Sequence, residues 1–121
     1  MTQEDKELLL KDLCTRLPYG VKIQVNDKIE TVEGINILDN IVEFGTYMAC
    51  DIEEVKPYLF PMSSMTVGQG KEFAATLKYL HAEKIDIWTL DTYDWCNKNN
   101  FDYRGLIPMG LANDATGLNI Y

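Results

Sequence analysis

The hydrophobic residues of the first 17 positions recur at intervals of three and four. The residues on this stripe are Leu9, Leu10, Leu13, Cys14 and Leu17. Because such spacing places them along one side of an α-helix, it predicts an amphipathic helix over residues 3–17. Thr2 is placed to cap this helix, with Asp5 at its third position. Pro18-Tyr19-Gly20 ends it, since proline cannot continue a helix.

From residue 21 the pattern changes to a period of two, which is typical of a half-buried strand. Val21, Ile23 and Val25 alternate with Lys22 and Gln24. Further apolar runs follow between turn signals at Asn26-Asp27, Gly34, Asp39-Asn40 and Gly45; they cover residues 28–33, 35–37 and 41–44. We therefore expect three or four short antiparallel strands in a meander. Both an open sheet and a small SH3-like barrel are compatible with this pattern.

The second half of the chain returns to helical signals. Asp51 to Glu54 has the pattern of a capping box that opens one short turn, and Thr66 with Gln69 has the same pattern ahead of a helix of roughly residues 68–82. A short strand is predicted over 85–87. A second C-terminal helix is predicted to begin at Thr89 or Asp91 and to run to about residue 100, before an irregular tail. The prediction is a single α+β domain over residues 1–121, with a weak seam near 61–66.

Composition agrees with a globular domain, since 46% of the 121 residues are hydrophobic and 25% are charged. A chain of this length can bury a core without disulfides or metal ions. The net charge of −8 disfavours direct binding to nucleic acid, because an acidic protein repels phosphate groups.

Nearly all of this charge lies in residues 27–54, here called the acidic meander. The segment holds eight acidic residues against one base, Lys28, for a net charge of −7. The candidate partner-binding residues are Glu30, Glu33, Asp39, Glu43, Glu53 and Glu54. Such a surface fits a basic protein partner or a mimic of DNA phosphates. It also fits the solvated face of a half-exposed sheet.

The cysteines and the first residues of the chain indicate the compartment in which the protein is expected. Cys14, Cys50 and Cys96 are odd in number and widely spaced, which favours free thiols in a reducing compartment. The first residues lack the pattern of a signal peptide, and no apolar run is long enough to cross a bilayer. We therefore expect a cytoplasmic protein that does not associate with membranes.

The sequence lacks the motifs of common catalytic or cofactor sites, so we expect no catalytic, cofactor or metal site and no enzymatic activity. Gly68, Gly70 and Lys71 do not match a phosphate-binding loop. His81 is the only histidine and is predicted to lie near the end of its helix, where it complements the helix dipole. Asp86, Asp91 and Asp94 are interpreted mainly as capping residues.

Aromatic residues are concentrated near the end of the chain. They are Trp88, Tyr93, Trp95, Phe101 and Tyr103. Packing into the core is the expected role of such a cluster. An alternative is a small-molecule binder or weak enzyme that uses a cleft between the meander and the C-terminal helices, close to Trp88, Tyr93 and Asp91.

Three segments carry a resemblance, namely 4–13, Lys56 to Thr66 (KPYLFPMSSMT) and Phe101 to Ala112 (FDYRGLIPMGLA). In these the chain resembles small uncharacterised proteins of gut Bacteroides-type bacteria, often encoded by prophages or mobile elements. The resemblance implies a bacterial cytosolic setting and a phage-linked accessory role, and it transfers no site residue. A structural piece of a phage assembly is a further alternative. Within the last segment, Arg104 is expected to pair with Asp102 or with the acidic sheet.

Overall fold

A computed structural model describes all residues, Met1 to Tyr121, and shows an α+β protein. The helices are α1 (Gln3–Arg16), α2 (Val67–Thr76) and α3 (Leu90–Lys98). The strands are β1 (Lys22–Val25), β2 (Lys28–Asn36), β3 (Ile41–Phe44), β4 (Met48–Asp51), β5 (Val55–Leu59), β6 (Lys78–Leu80), β7 (Ile85–Ile87) and β8 (Asn113–Asp114). The expected N-terminal helix and two C-terminal helices are confirmed.

Helix α1 forms where its apolar spacing predicts. The Thr2 hydroxyl accepts a hydrogen bond from the Asp5 backbone N–H, and the Asp5 carboxylate accepts one from the Thr2 backbone N–H. This pair of bonds satisfies two N–H groups that a helix start leaves free. Leu9 and Leu13 are fully buried against the sheet, so α1 covers one of its faces.

The main sheet has six strands in the order β4-β3-β2-β1-β5-β8, so the predicted three or four strands are too few. All pairs are antiparallel except β5 with β8. Gly34 was expected to interrupt the second run, but β2 continues through it. The register shifts between Val32 and Gly34, because an extra residue, Glu33, forms a bulge opposite β3. The end strands β4 and β8 are not joined to each other.

Strands β4 and β5 do not follow from the sequence pattern. The predicted capping box at Asp51 and the short turn that it opens are confirmed; the turn is of the 3-10 type, Ile52–Glu54, and it links the two strands. Pro57 lies inside β5, where proline is disfavoured. It is tolerated because β8 pairs only with Tyr58 and Leu59, so the edge beside Pro57 on that side is open.

Helix α2 is shorter than the predicted helix of residues 68–82. Its start is confirmed by the capping box of Thr66 and Gln69. It ends at Thr76, because the carbonyl of Thr76 is occupied by the hydroxyls of Thr89 and Thr92 at the start of α3. The chain then forms the separate β6–β7 hairpin, so the prediction that His81 lies in a helix is wrong.

The core lies between α1 and the sheet, and the C-terminal tail completes it. Leu106, Leu111 and Ala112 join a cluster that includes Leu9, Leu13, Ile23 and Val42. The tail is fixed in part by Asp102, whose carboxylate accepts hydrogen bonds from the N–H groups of Leu106 and Ile107.

A buried ion-pair network ties α1 to this tail. The Asp12 carboxylate accepts hydrogen bonds from the Arg16 Nε at 2.9 Å and from the Arg104 Nε at 3.1 Å. Arg16, which is fully buried, also donates to the backbone oxygens of Phe101 and Cys96. Arg104 therefore pairs with α1 and not with Asp102 or the acidic sheet, because Asp102 is already bonded to the backbone N–H groups of its own turn.

Candidate functional site

Four of the six predicted partner-binding residues line depressions beside the edge strand β4. Two of them lie on one face of the sheet and two on the other. Glu33 and Glu43 line a depression of about 580 Å³ together with Tyr47, Met48 and Ala49. Glu33 projects from the bulge of β2, and Glu43 lies across Gly34 on the face that α1 does not cover. The sequence places these two acids together because the β2–β3 pairing brings positions 34 and 43 opposite each other.

The second pair, Glu30 and Glu54, lines a depression of about 590 Å³ on the opposite face. Glu30 is the cross-strand partner of the buried Ile23, so both side chains lie on the α1 side of the sheet. Lys28 is the one base that lines this depression. Met48 and Ala49 of β4 line both depressions, so the edge strand separates two acidic surfaces.

The remaining two predicted residues are engaged elsewhere. Glu53 forms an ion pair with Lys6 of α1, with 3.0 Å between the Nζ and Oε1 atoms. Asp39 bonds to Asn36 within the β2–β3 turn. The structure thus reduces the candidate surface to Glu30, Glu33, Glu43 and Glu54, none of which forms a salt bridge.

Sequence reasoning missed the residues between the two depressions. Met48 and Ala49 belong to a four-residue strand, and its residues Met-Ala-Cys-Asp do not show the alternation of apolar and polar side chains that identifies longer strands. The only signal in the sequence is Gly45, in the turn that precedes the strand; in the structure Gly45 and Tyr47 both have positive φ angles.

The nucleophilic side chains belong to four different elements of the fold. Burial raises the pKa of the Cys96 thiol in α3 to about 11. Burial also raises the pKa of Cys14 in α1, and that of Cys50 in β4, where the Glu54 and Asp51 carboxylates add to the effect. Raised values disfavour the reactive thiolate. His81 packs edge-on against Tyr79 in the β6–β7 hairpin, with 4.7 Å between ring centroids.

No group of three or more His, Cys, Asp or Glu side chains is arranged to hold a metal ion. None of the three carboxylates interpreted as capping residues caps α3, since Asp86 lies in β7 and Asp94 lies in the middle of the helix. Asp91 lies in the first turn of the helix, and the capping box itself is formed by Thr89 and Thr92.

The aromatic cluster is partly core and partly surface. Phe101 is buried and stacks on Trp95 at a centroid distance of 5.3 Å. Trp88, Tyr93 and Tyr103 instead line an open depression of about 570 Å³, together with Ile87 and Arg104. No residue of the acidic meander lines this depression, so it lies outside the cleft in which a ligand site was predicted.

None of the helices is long and apolar enough to cross a lipid bilayer. Comparison with known protein families, with curated proteins and with solved structures finds no match for this chain.

Proposed function

We propose that this protein is a non-enzymatic interaction module whose acidic meander binds a basic protein partner. One observation carries the proposal: Glu30, Glu33, Glu43 and Glu54 line two depressions at one edge of the sheet and have no ion-pair partner in the chain. Unpaired carboxylates that lie close together create a negative potential, and such a potential accelerates the association of a cationic partner.

The charge distribution of the whole chain supports this reading. The acidic meander carries a net charge of −7, whereas residues 67–87, which include α2 and the β6–β7 hairpin, hold three acids and three lysines. The negative charge is therefore concentrated in the segment that forms β2, β3 and β4. A uniform acidic surface would serve solubility alone and would not require this asymmetry.

Charge reversal tests the proposal. The probe is a fluorescently labelled short peptide of alternating lysine and threonine residues, titrated with the protein at low ionic strength. The triple variant Glu30→Lys, Glu33→Lys, Glu43→Lys should bind the peptide about tenfold or more weakly, because three attractive charges become repulsive. Added salt should weaken the wild-type complex, since it screens exposed charges.

A matched control variant separates the effect of charge in the acidic meander from the effect of the total net charge. The variant Glu72→Lys, Glu83→Lys, Asp94→Lys changes the net charge by the same amount at exposed positions outside the acidic meander. It should bind the probe within about twofold of the wild-type affinity. Equal losses in the two variants, or no binding by the wild type, would show that the acidic meander is not a binding surface.

A second candidate function rests on the aromatic depression. Its lining combines the rings of Trp88, Tyr93 and Tyr103 with the Arg104 guanidinium, which fits a flat organic anion. Anilinonaphthalene sulfonate is a suitable probe. Tyr93→Ala should weaken binding of this probe, because Tyr93 lines the depression. Tyr19→Ala is the matched control and should leave binding unchanged, since Tyr19 is as exposed as Tyr93, at 41% against 42%, but lies outside the depression. Equal effects would remove this candidate.

A further inference from the structure

Strand β4 has a hydrogen-bonded neighbour on one side only. It pairs with β3 from Phe44↔Met48 to Ile41↔Asp51, and its other edge faces solvent at the end of the six-stranded sheet. Edge strands in natural proteins are commonly protected by lysine or proline. Met48–Asp51 contains neither residue, so this edge is open to a further strand.

The direction of the free backbone groups follows from the turn after β4. The Asp51 N–H donates to the Glu54 carboxylate and so points away from β3. Backbone groups alternate in direction along an antiparallel strand. Ala49, two residues earlier, therefore directs its N–H and C=O to the same open edge, while Met48 and Cys50 direct theirs to β3.

The surroundings of this edge select the chemistry of an added strand. Alternate side chains of a strand paired with β4 would extend to opposite faces of the sheet. On one face they would border the depression lined by Glu33 and Glu43, and on the other face the depression lined by Glu30 and Glu54. Each depression is large enough, at about 580 and 590 Å³, for an extended lysine or arginine side chain.

We infer that β4 is a docking strand which receives an extended lysine- or arginine-rich segment of a partner protein by β-strand addition. This inference rests on the proposed function and adds its geometry: backbone hydrogen bonds to Ala49 provide affinity, and the two glutamate pairs select basic side chains. A second copy of this chain is disfavoured at the same edge, because pairing two β4 strands would bring together two acidic meanders that each carry a net charge of −7.

Two forms of the basic probe peptide test the inference on the wild-type protein. In the second form, the backbone nitrogens of the central residues are methylated. This removes the N–H donors on both edges of the peptide, places methyl groups there that keep a neighbouring strand away, and keeps every charge. The methylated form should bind about tenfold or more weakly, since the backbone hydrogen bonds to the Ala49 N–H and C=O are lost. Hydrogen exchange of the Ala49 amide should slow when the unmodified peptide is bound and remain fast with the methylated one.

The outcomes separate the two proposals. Equal affinity of the two peptides, with no protection of the Ala49 amide, would overturn strand addition and leave the acidic meander as an electrostatic surface. Failure of both peptides to bind would overturn both. Protection of the Ala49 amide in the free protein, under conditions in which light scattering gives a dimer, would assign the edge to a second copy and overturn the inference.

Discussion

Replacing Asp12 with alanine removes the carboxylate that balances two guanidinium groups. Asp12 has no exposed surface, and its oxygens accept two hydrogen bonds from Arg16, at 2.9 and 3.2 Å, and one from Arg104, at 3.1 Å. After the substitution Arg16 keeps only two backbone carbonyl acceptors, those of Phe101 and Cys96. A buried positive charge is then left without a counter-ion.

The size of the effect follows from this geometry. Removing one partner of a buried ion pair costs about 3–5 kcal/mol of unfolding free energy, and Asp12→Ala should fall in that range. With an unfolding entropy of about 2.1 cal/mol/K per residue, the Tm of a chain of this length should fall by about 12–20 °C. Arg104→Met should cost about 1–2 kcal/mol, because Asp12 retains its bonds from Arg16 and the Arg104 side chain is 16% exposed.

Urea unfolding followed by tryptophan fluorescence and circular dichroism measures these differences. Lys6→Ala is the control, since it breaks an exposed ion pair of the same helix and should cost less than about 1 kcal/mol. If Asp12→Ala destabilises the protein no more than Lys6→Ala does, the network does not hold α1 against the tail. A larger loss for Arg104→Met than for Asp12→Ala would also contradict the reasoning.

Three further predictions concern single side chains. Thr92→Val should lower the unfolding free energy by about 1–2 kcal/mol in urea titrations, because its buried hydroxyl donates to the Thr76 carbonyl at 3.0 Å; a neutral effect would contradict this. Tyr121 is 45% exposed as a residue, but its hydroxyl donates to the Tyr58 carbonyl, and burial raises its pKa to about 12. The stabilisation that the protonated Tyr121 hydroxyl provides is therefore complete below about pH 10 and is lost as the pH rises toward about 12. Urea unfolding midpoints measured at about pH 9 and pH 11 should differ more for the wild type than for Tyr121→Phe. Cys96, which is fully buried, should react with iodoacetamide more slowly than the other two cysteines, and mass spectrometry of the folded protein that finds equal rates would refute this.

Helix starts and tight turns could be predicted from the sequence because their signals are local. Thr2 and Thr66 cap α1 and α2 as their capping-box patterns indicate. Asn26 and Asn40 have the positive φ angles that their turn signals suggest. In each case the residues that decide the structure are within four positions of one another, so the pattern contains the information.

Elements that depend on distant residues could not be predicted. Strand β5 forms around Pro57 because it gains partners in β1 and in the tail strand β8, more than 50 positions later. Helix α2 ends early because hydroxyls at the start of α3 bind its last carbonyl. The candidate surface was identified in part: Glu30, Glu33, Glu43 and Glu54 follow from charge counting, but the strand edge between them depends on pairing that the sequence does not specify.

The bond from Arg16 to the Phe101 carbonyl, 2.7 Å long, joins residues 85 positions apart. During translation α1 is synthesised before Phe101, so its arginine has no acceptor at this site until the segment around Phe101 has been made. Docking of this arginine therefore has to wait for that segment. Until then the Arg16 guanidinium stays hydrated, on the side of the helix that is buried in the folded protein.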